Sequence, residues 1–133
     1  MNEIIEKIEE LENFDFLKTN KPYNQFDGFK IKTNLQEIFL LIKNDQYCCE
    51  EWGYIMSEDN IEEFIGSELY TVRIANKALK TYEVLGDFQD EAIFINLETS
   101  NGILQFVIYN HHNGYYGHTV IIKSINTSLK TEI

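Results

Sequence analysis

The sequence predicts an α+β fold: a mostly antiparallel sheet of five to six strands, an N-terminal amphipathic helix and one short additional helix. Three observations lead there. Apolar residues near the start recur at helical spacing, several later segments alternate apolar and polar residues with period two, and short turn-forming stretches leave little room for long helical crossovers.

Ile4, Ile5, Ile8, Leu11 and Phe14 form the first stripe, with Glu and Lys filling the opposite face. They place a helix over residues 3 to about 17, within an N-terminal unit 1–20 that packs on the sheet. Thr19, Asn20 and Pro22 end it, and Asp27-Gly28 reads as a turn before Phe29 and Ile31 alternate with Lys30 and Lys32. Residues 36–43 are apolar on both faces, the pattern of a central strand. Ser57 is positioned to cap a short helix carrying Ile61, Phe64 and Ile65 and closed by Gly66. Tyr70, Val72 and Ile74 alternate with Thr71 and Arg73, whereas residues 76–91 are mixed and read as a connection holding a helical turn. Ile93, Ile95 and Leu97 mark another strand, Ser100-Asn101-Gly102 a turn, and residues 103–109 and 119–125 the last strands. With no repeat and no interdomain linker, residues 1–133 read as a single domain with a sheet core over 28–126.

Composition bounds the function. The 133 residues carry 22 acidic against 11 basic side chains, a net charge of −11, and lack any Lys/Arg cluster, so duplex nucleic-acid binding is disfavoured. The same acidity allows a DNA mimic, with carboxylates of the N-terminal segment and of Glu58, Asp59, Glu62 and Glu63 standing where phosphates would. No apolar run is long enough to span a membrane and no secretory leader is evident, so the expectation is a soluble, cytoplasmic protein. The only cysteines, Cys48 and Cys49, are adjacent, which suits reduced thiols rather than a structural bridge.

Two segments concentrate the chemistry. All three histidines lie in His111-His112-Asn113-Gly114-Tyr115-Tyr116-Gly117-His118. If Asn113-Gly114 is a two-residue hairpin turn, Tyr109, His111, Tyr116 and His118 share one face, with the two imidazoles diagonal and roughly 7–8 Å apart. Such a face could stack on a planar ligand, hold a divalent metal, or simply stabilise the hairpin. The second segment is Tyr47-Cys48-Cys49-Glu50-Glu51-Trp52-Gly53-Tyr54, where a carboxylate meeting His111 or His118 would orient the ring. Arg73, the sole arginine, is a candidate clamp for a phosphate or carboxylate, or a plain surface charge. No phosphate-binding loop, nucleophile elbow or zinc-protease motif occurs, and no cofactor is indicated.

Cys48-Cys49-Glu50-x-Trp52-Gly53-Tyr54, followed by His111-x-Asn113-Gly114-Tyr115-Tyr116-Gly117-His118, resembles a family of small bacterial and phage proteins catalogued as a domain of unknown function, DUF7448. The resemblance spans roughly residues 35–125 and implies one compact domain, with Glu50, Trp52, His111, Asn113, Tyr116 and His118 at motif positions. It brings no activity, and by analogy of setting it suggests an inhibitor of host defence.

The expectation is therefore a non-enzymatic binding protein for a small molecule, such as a nucleotide, or for a protein partner. Its site comprises Glu50, Trp52, Arg73, Tyr109, His111, Asn113, Tyr116 and His118, and homo-oligomerisation is left open. A metal-assisted hydrolase using His111, His118 and Glu50 is the first alternative, and the acidic mimic the second.

Overall fold

In a computed structural model the chain is almost entirely β. The structure describes residues 2–21, 24–45, 50–56, 60–82, 89–112 and 117–133. The strands are β1 (Ile5–Phe14), β2 (Phe26–Thr33), β3 (Glu37–Lys43), β4 (Glu50–Met56), β5 (Leu69–Tyr82), β6 (Gln89–Thr99), β7 (Gly102–His112), β8 (Thr119–Lys123) and β9 (Ser128–Glu132). They form two antiparallel sheets, one of order β1-β2-β3-β8-β9 and one of order β4-β7-β6-β5. One buried cluster draws on both: Ile31, Ile38, Leu40, Ile42, Val120 and Ile122 face Ile93, Ile95, Leu97, Leu104, Phe106 and Ile108. This is a sandwich, and the α+β expectation is overturned. No helix among the described residues is long and apolar enough to cross a membrane.

The N-terminal segment expected to be a helix is strand β1. Ile5 opposes Thr33 while Lys7 opposes Lys32, so Glu6 is an extra residue and Ile5 and Ile8, three apart, both face the sandwich core. A second irregularity between Leu11 and Phe14 repeats the effect on the other face. Two bulges thus place apolar residues at i and i+3 in a strand, imitating the helical stripe. The Glu-rich side belongs to a sheet edge, where charged side chains discourage pairing with another chain. Glu9 there lies 3.7 Å from Lys30 of the neighbouring strand.

The second expected helix shrinks to one 3-10 turn, Ile61–Phe64, preceded by Asn60, whose side chain caps no backbone amide. Ser57 lies outside the described residues. Of the expected connection over 76–91, residues 76–82 are the end of β5 and residues 89–91 the start of β6, with Leu79 opposite Ala92 and Tyr82 opposite Gln89, and the rest lies outside the described residues. Register shifts between Ile74 and Asn76 and between Asn76 and Leu79 break the period-two pattern that would have revealed the strand. Asp27-Gly28 is not a turn but lies within β2. Gly28, at φ +149°, packs so closely on β3 that a Cβ would run into the Leu40 carbonyl.

Strand β3 is central, as its two apolar faces predict. Ile38, Leu40 and Ile42 enter the sandwich core, and Leu41 joins Phe26 and Ile121 in a second cluster on the outer face of the five-stranded sheet. That outer face is closed by the chain itself. The Asp15 carboxylate accepts hydrogen bonds from the amides of Thr19 (3.0 Å) and Asn20 (2.9 Å), and Lys18 and Asn20 take φ near +57°. Phe16 packs against Phe26 and Phe39, with ring centroids 6.5 and 5.2 Å away.

Candidate functional site

The two chemistry-bearing segments meet. Along β4 and β7, Glu50 opposes His112, Glu51 opposes His111, Trp52 opposes Asn110 and Gly53 opposes Tyr109. Because strand side chains alternate, this ladder divides the candidates between two faces. Trp52, Tyr54 and Asn110 point into the sandwich, while Glu51, Ile55, Val107, Tyr109 and His111 occupy its outer face.

At the inner end, His118 is buried and lies beside Trp52, ring centroids 5.3 Å apart. Its Nδ1 is 2.5 Å from the Lys43 carbonyl, and its backbone exchanges hydrogen bonds with Ile133 (2.8 and 3.0 Å). Asn110 Nδ2 donates to the Ile133 carbonyl at 3.0 Å. These contacts join β3, β4, β7, β8 and the residue after β9, so Trp52 and His118 tie the two sheets together. Tyr54 adds a second link: its hydroxyl donates to Glu10 Oε2 of β1 at 2.7 Å. Burial, then that hydrogen bond and the negative charge of Glu10, push the Tyr54 pKa well above its ordinary value of 10.0.

The shared face expected for Tyr109, His111, Tyr116 and His118 is not formed. β7 pairs with β4 and β6, while β8 pairs with β3 and β9, so the chain crosses between sheets after His112 instead of returning as a hairpin. His111 and His118 consequently lie on different sides of the four-stranded sheet. Asn113 and Tyr116, and also Cys48 and Cys49, lie outside the described residues, and Glu50 is placed by its backbone alone. Arg73 is exposed on β5, opposite Asn96 and 3.8 Å from Glu98, away from the Glu51–His111 end of the sheet. Among the described residues, no three or more His, Cys, Asp or Glu side chains are grouped to hold a metal ion.

The outer face of the four-stranded sheet grades along its strands. At one end Gln105 donates to Asn96 at 2.9 Å beside the Arg73–Glu98 pair. In the middle, Val107 is flanked by Ile55 and Phe94, its register partners, with Ile55 55% exposed. At the other end Tyr109, 36% exposed, lies over Gly53, and His111 sits in register between Glu51 and Asp90. A Cβ on Gly53 would lie 2.5 Å from the Tyr109 hydroxyl and 2.7 Å from Cζ, so the missing side chain is what lets the ring lie down. Ile55, Val107 and Gly53 were not singled out as site residues in the sequence. The signal was present in residues 103–109, apolar on both faces, which leaves one apolar face outside any core.

A family model described as "Domain of unknown function (DUF7448)" matches residues 1–122. No curated protein and no solved structure matches the chain.

Proposed function

The chain belongs to the DUF7448 family, and we propose from its own surface that it is a non-enzymatic binding protein whose working surface is the outer face of β4, β7 and β6, taking a protein partner. One observation carries this reading. On the outer face of the five-stranded sheet Phe16 of the same chain packs over Phe26 and Phe39, whereas Ile55 (55% exposed) and Tyr109 (36%) flank Val107 on the outer face of the other sheet. Contiguous apolar surface rimmed by polar groups is the mark of an interaction site, and an aromatic anchor with an ionisable neighbour is a common hot-spot composition.

Chemistry narrows the partner. Glu51 and Glu98 border the apolar strip on a chain of net charge −11, so a complementary surface presents an apolar centre with a basic rim, and its association rate falls with added salt. The test uses the full chain as immobilised bait in a lysate of its native cells, beside Ile55→Asp and Tyr109→Ala. A protein retained by the wild type and lost from both variants supports the assignment. Retention unchanged by either substitution, or no protein retained at all, overturns it.

A further inference from the structure

We propose that the cleft at the opposite end of the sandwich from His118 is a binding site for a neutral saccharide. It is independent of the partner-binding face. The cleft, of about 80 Å³, opens where residue 3, the β2–β3 loop, the start of β5 and the β8–β9 loop converge, and its lining includes Glu3, Gln36, Tyr70, Thr71, Asn126 and Thr127.

The floor of the cleft is pre-organised. Glu3 Oε2 accepts from Thr33 Oγ1 at 2.6 Å and from Gln36 Nε2 at 2.8 Å, and Gln36 Oε1 accepts from the Ile125 amide at 2.7 Å. The Leu69 amide donates to the Glu3 carbonyl at 2.8 Å, and Ser124 and Thr127 close the β8–β9 turn on each other at 2.7 and 3.0 Å. Strands of both sheets are therefore pinned around the opening. Among the described residues, no hydrogen bond engages the side chains of Thr71 or Asn126 or the Thr127 hydroxyl, so these lining residues keep hydrogen-bonding capacity for a ligand.

The lining selects the ligand class. It contains no Lys or Arg and does contain a carboxylate, on a chain of net charge −11, which disfavours phosphates, nucleotides and other anions. It is mostly polar, which disfavours a lipid or other apolar guest. Tyr70, 62% exposed, offers a flat ring beside these hydroxyl and amide groups. A pyranose has the matching chemistry, with hydroxyls around its edge for amide, hydroxyl and carboxylate partners and an apolar C–H face that lies on an aromatic ring.

The experiment is a nitrogen–proton correlation titration of the full chain with glucose, galactose, mannose, N-acetylglucosamine and their disaccharides. Each is carried to about 50 mM, enough to populate a site of millimolar Kd. Expected are saturable shifts at residues 69–72 and 124–127 for at least one sugar, weakened about 5-fold or more by Tyr70→Ala and by Asn126→Ala, and unchanged by Ile55→Asp. Both weakening substitutions are at exposed positions, so the fold persists. No saturable shift with any sugar, shifts untouched by Tyr70→Ala, or shifts at these residues with inorganic phosphate instead would each overturn the assignment. Because Ile55→Asp leaves this titration intact, its result is separable from that of the partner-binding face.

Discussion

Replacing Gly53 by alanine should move Tyr109 without unfolding the protein, separating the proposed working surface from stability. The added Cβ would lie 2.5 Å from the Tyr109 hydroxyl, 2.7 Å from Cζ and 3.1 Å from Cε1. Those atoms belong to the far end of a side chain already 36% exposed, so the ring can swing away rather than force the β4–β7 ladder apart. Two terms then oppose each other. Alanine is about 0.5–1 kcal/mol better than glycine in a strand interior, because less backbone freedom is lost on folding. The displaced cross-strand contact forfeits about 0.2–1 kcal/mol. The net change should lie between about −0.5 and +0.8 kcal/mol, which for a urea dependence of about 2 kcal/mol/M shifts the unfolding midpoint by no more than about 0.4 M. Urea unfolding followed by tryptophan fluorescence measures the first half, and the ring-proton resonances of Tyr109 report the second. Destabilisation above about 2 kcal/mol would show that the ring is locked, and unmoved Tyr109 resonances would show that it does not rest on Gly53. Either result refutes the reasoning.

Gly28→Ala should be far more harmful, since its Cβ meets backbone rather than a side-chain tip. With the positive φ added, the loss should be about 2–5 kcal/mol. Gly102→Ala, at φ +108° with open space around the new methyl, should lose only about 1–2 kcal/mol, and equal urea midpoints for the two variants would remove the Leu40 contact as the cause. His118→Ala should cost about 2–4 kcal/mol, measured in the same way, because it opens a void beside Trp52 and strips the Lys43 carbonyl of its ring partner. Tyr54 keeps its proton in the folded state to higher pH than in the unfolded chain. Its contribution is therefore complete below pH 10 and is lost as pH rises above that value. Tyr54→Phe should flatten the alkaline arm of a stability-versus-pH curve, and an unchanged arm would exclude Tyr54 as its origin.

Much of the sheet was legible because period-two alternation survives wherever a strand is regular. The burial of Ile93, Ile95 and Leu97 follows it, the Ser100-Asn101 turn lies where its chemistry predicts, and the two-faced apolarity of residues 36–43 identifies the central strand. Bulges hide the period in β1 and β5. β1 places Ile5 and Ile8 on one face and Leu11 and Phe14 on the other by inserting extra residues, and β5 loses its alternation at two register shifts. A local pattern cannot distinguish a bulged strand from one face of a helix, because both bring residues three apart to the same side.

The sequence by itself determined that this acidic chain would bury an ordinary core built largely from antiparallel strands, and that residues 47–54 and 109–118 concentrate its histidines, cysteines and only tryptophan. The tertiary structure decided what those residues do. Pairing of β4 with β7 joins the two segments, the crossing from β7 to β8 sends His118 into the interior, and the same alternation leaves Tyr109 and His111 outside. Strand partnership is set by contacts between residues far apart in sequence, and no local propensity encodes which sheet a strand will join. The faces of a motif become known only once its neighbours across the ladder are known.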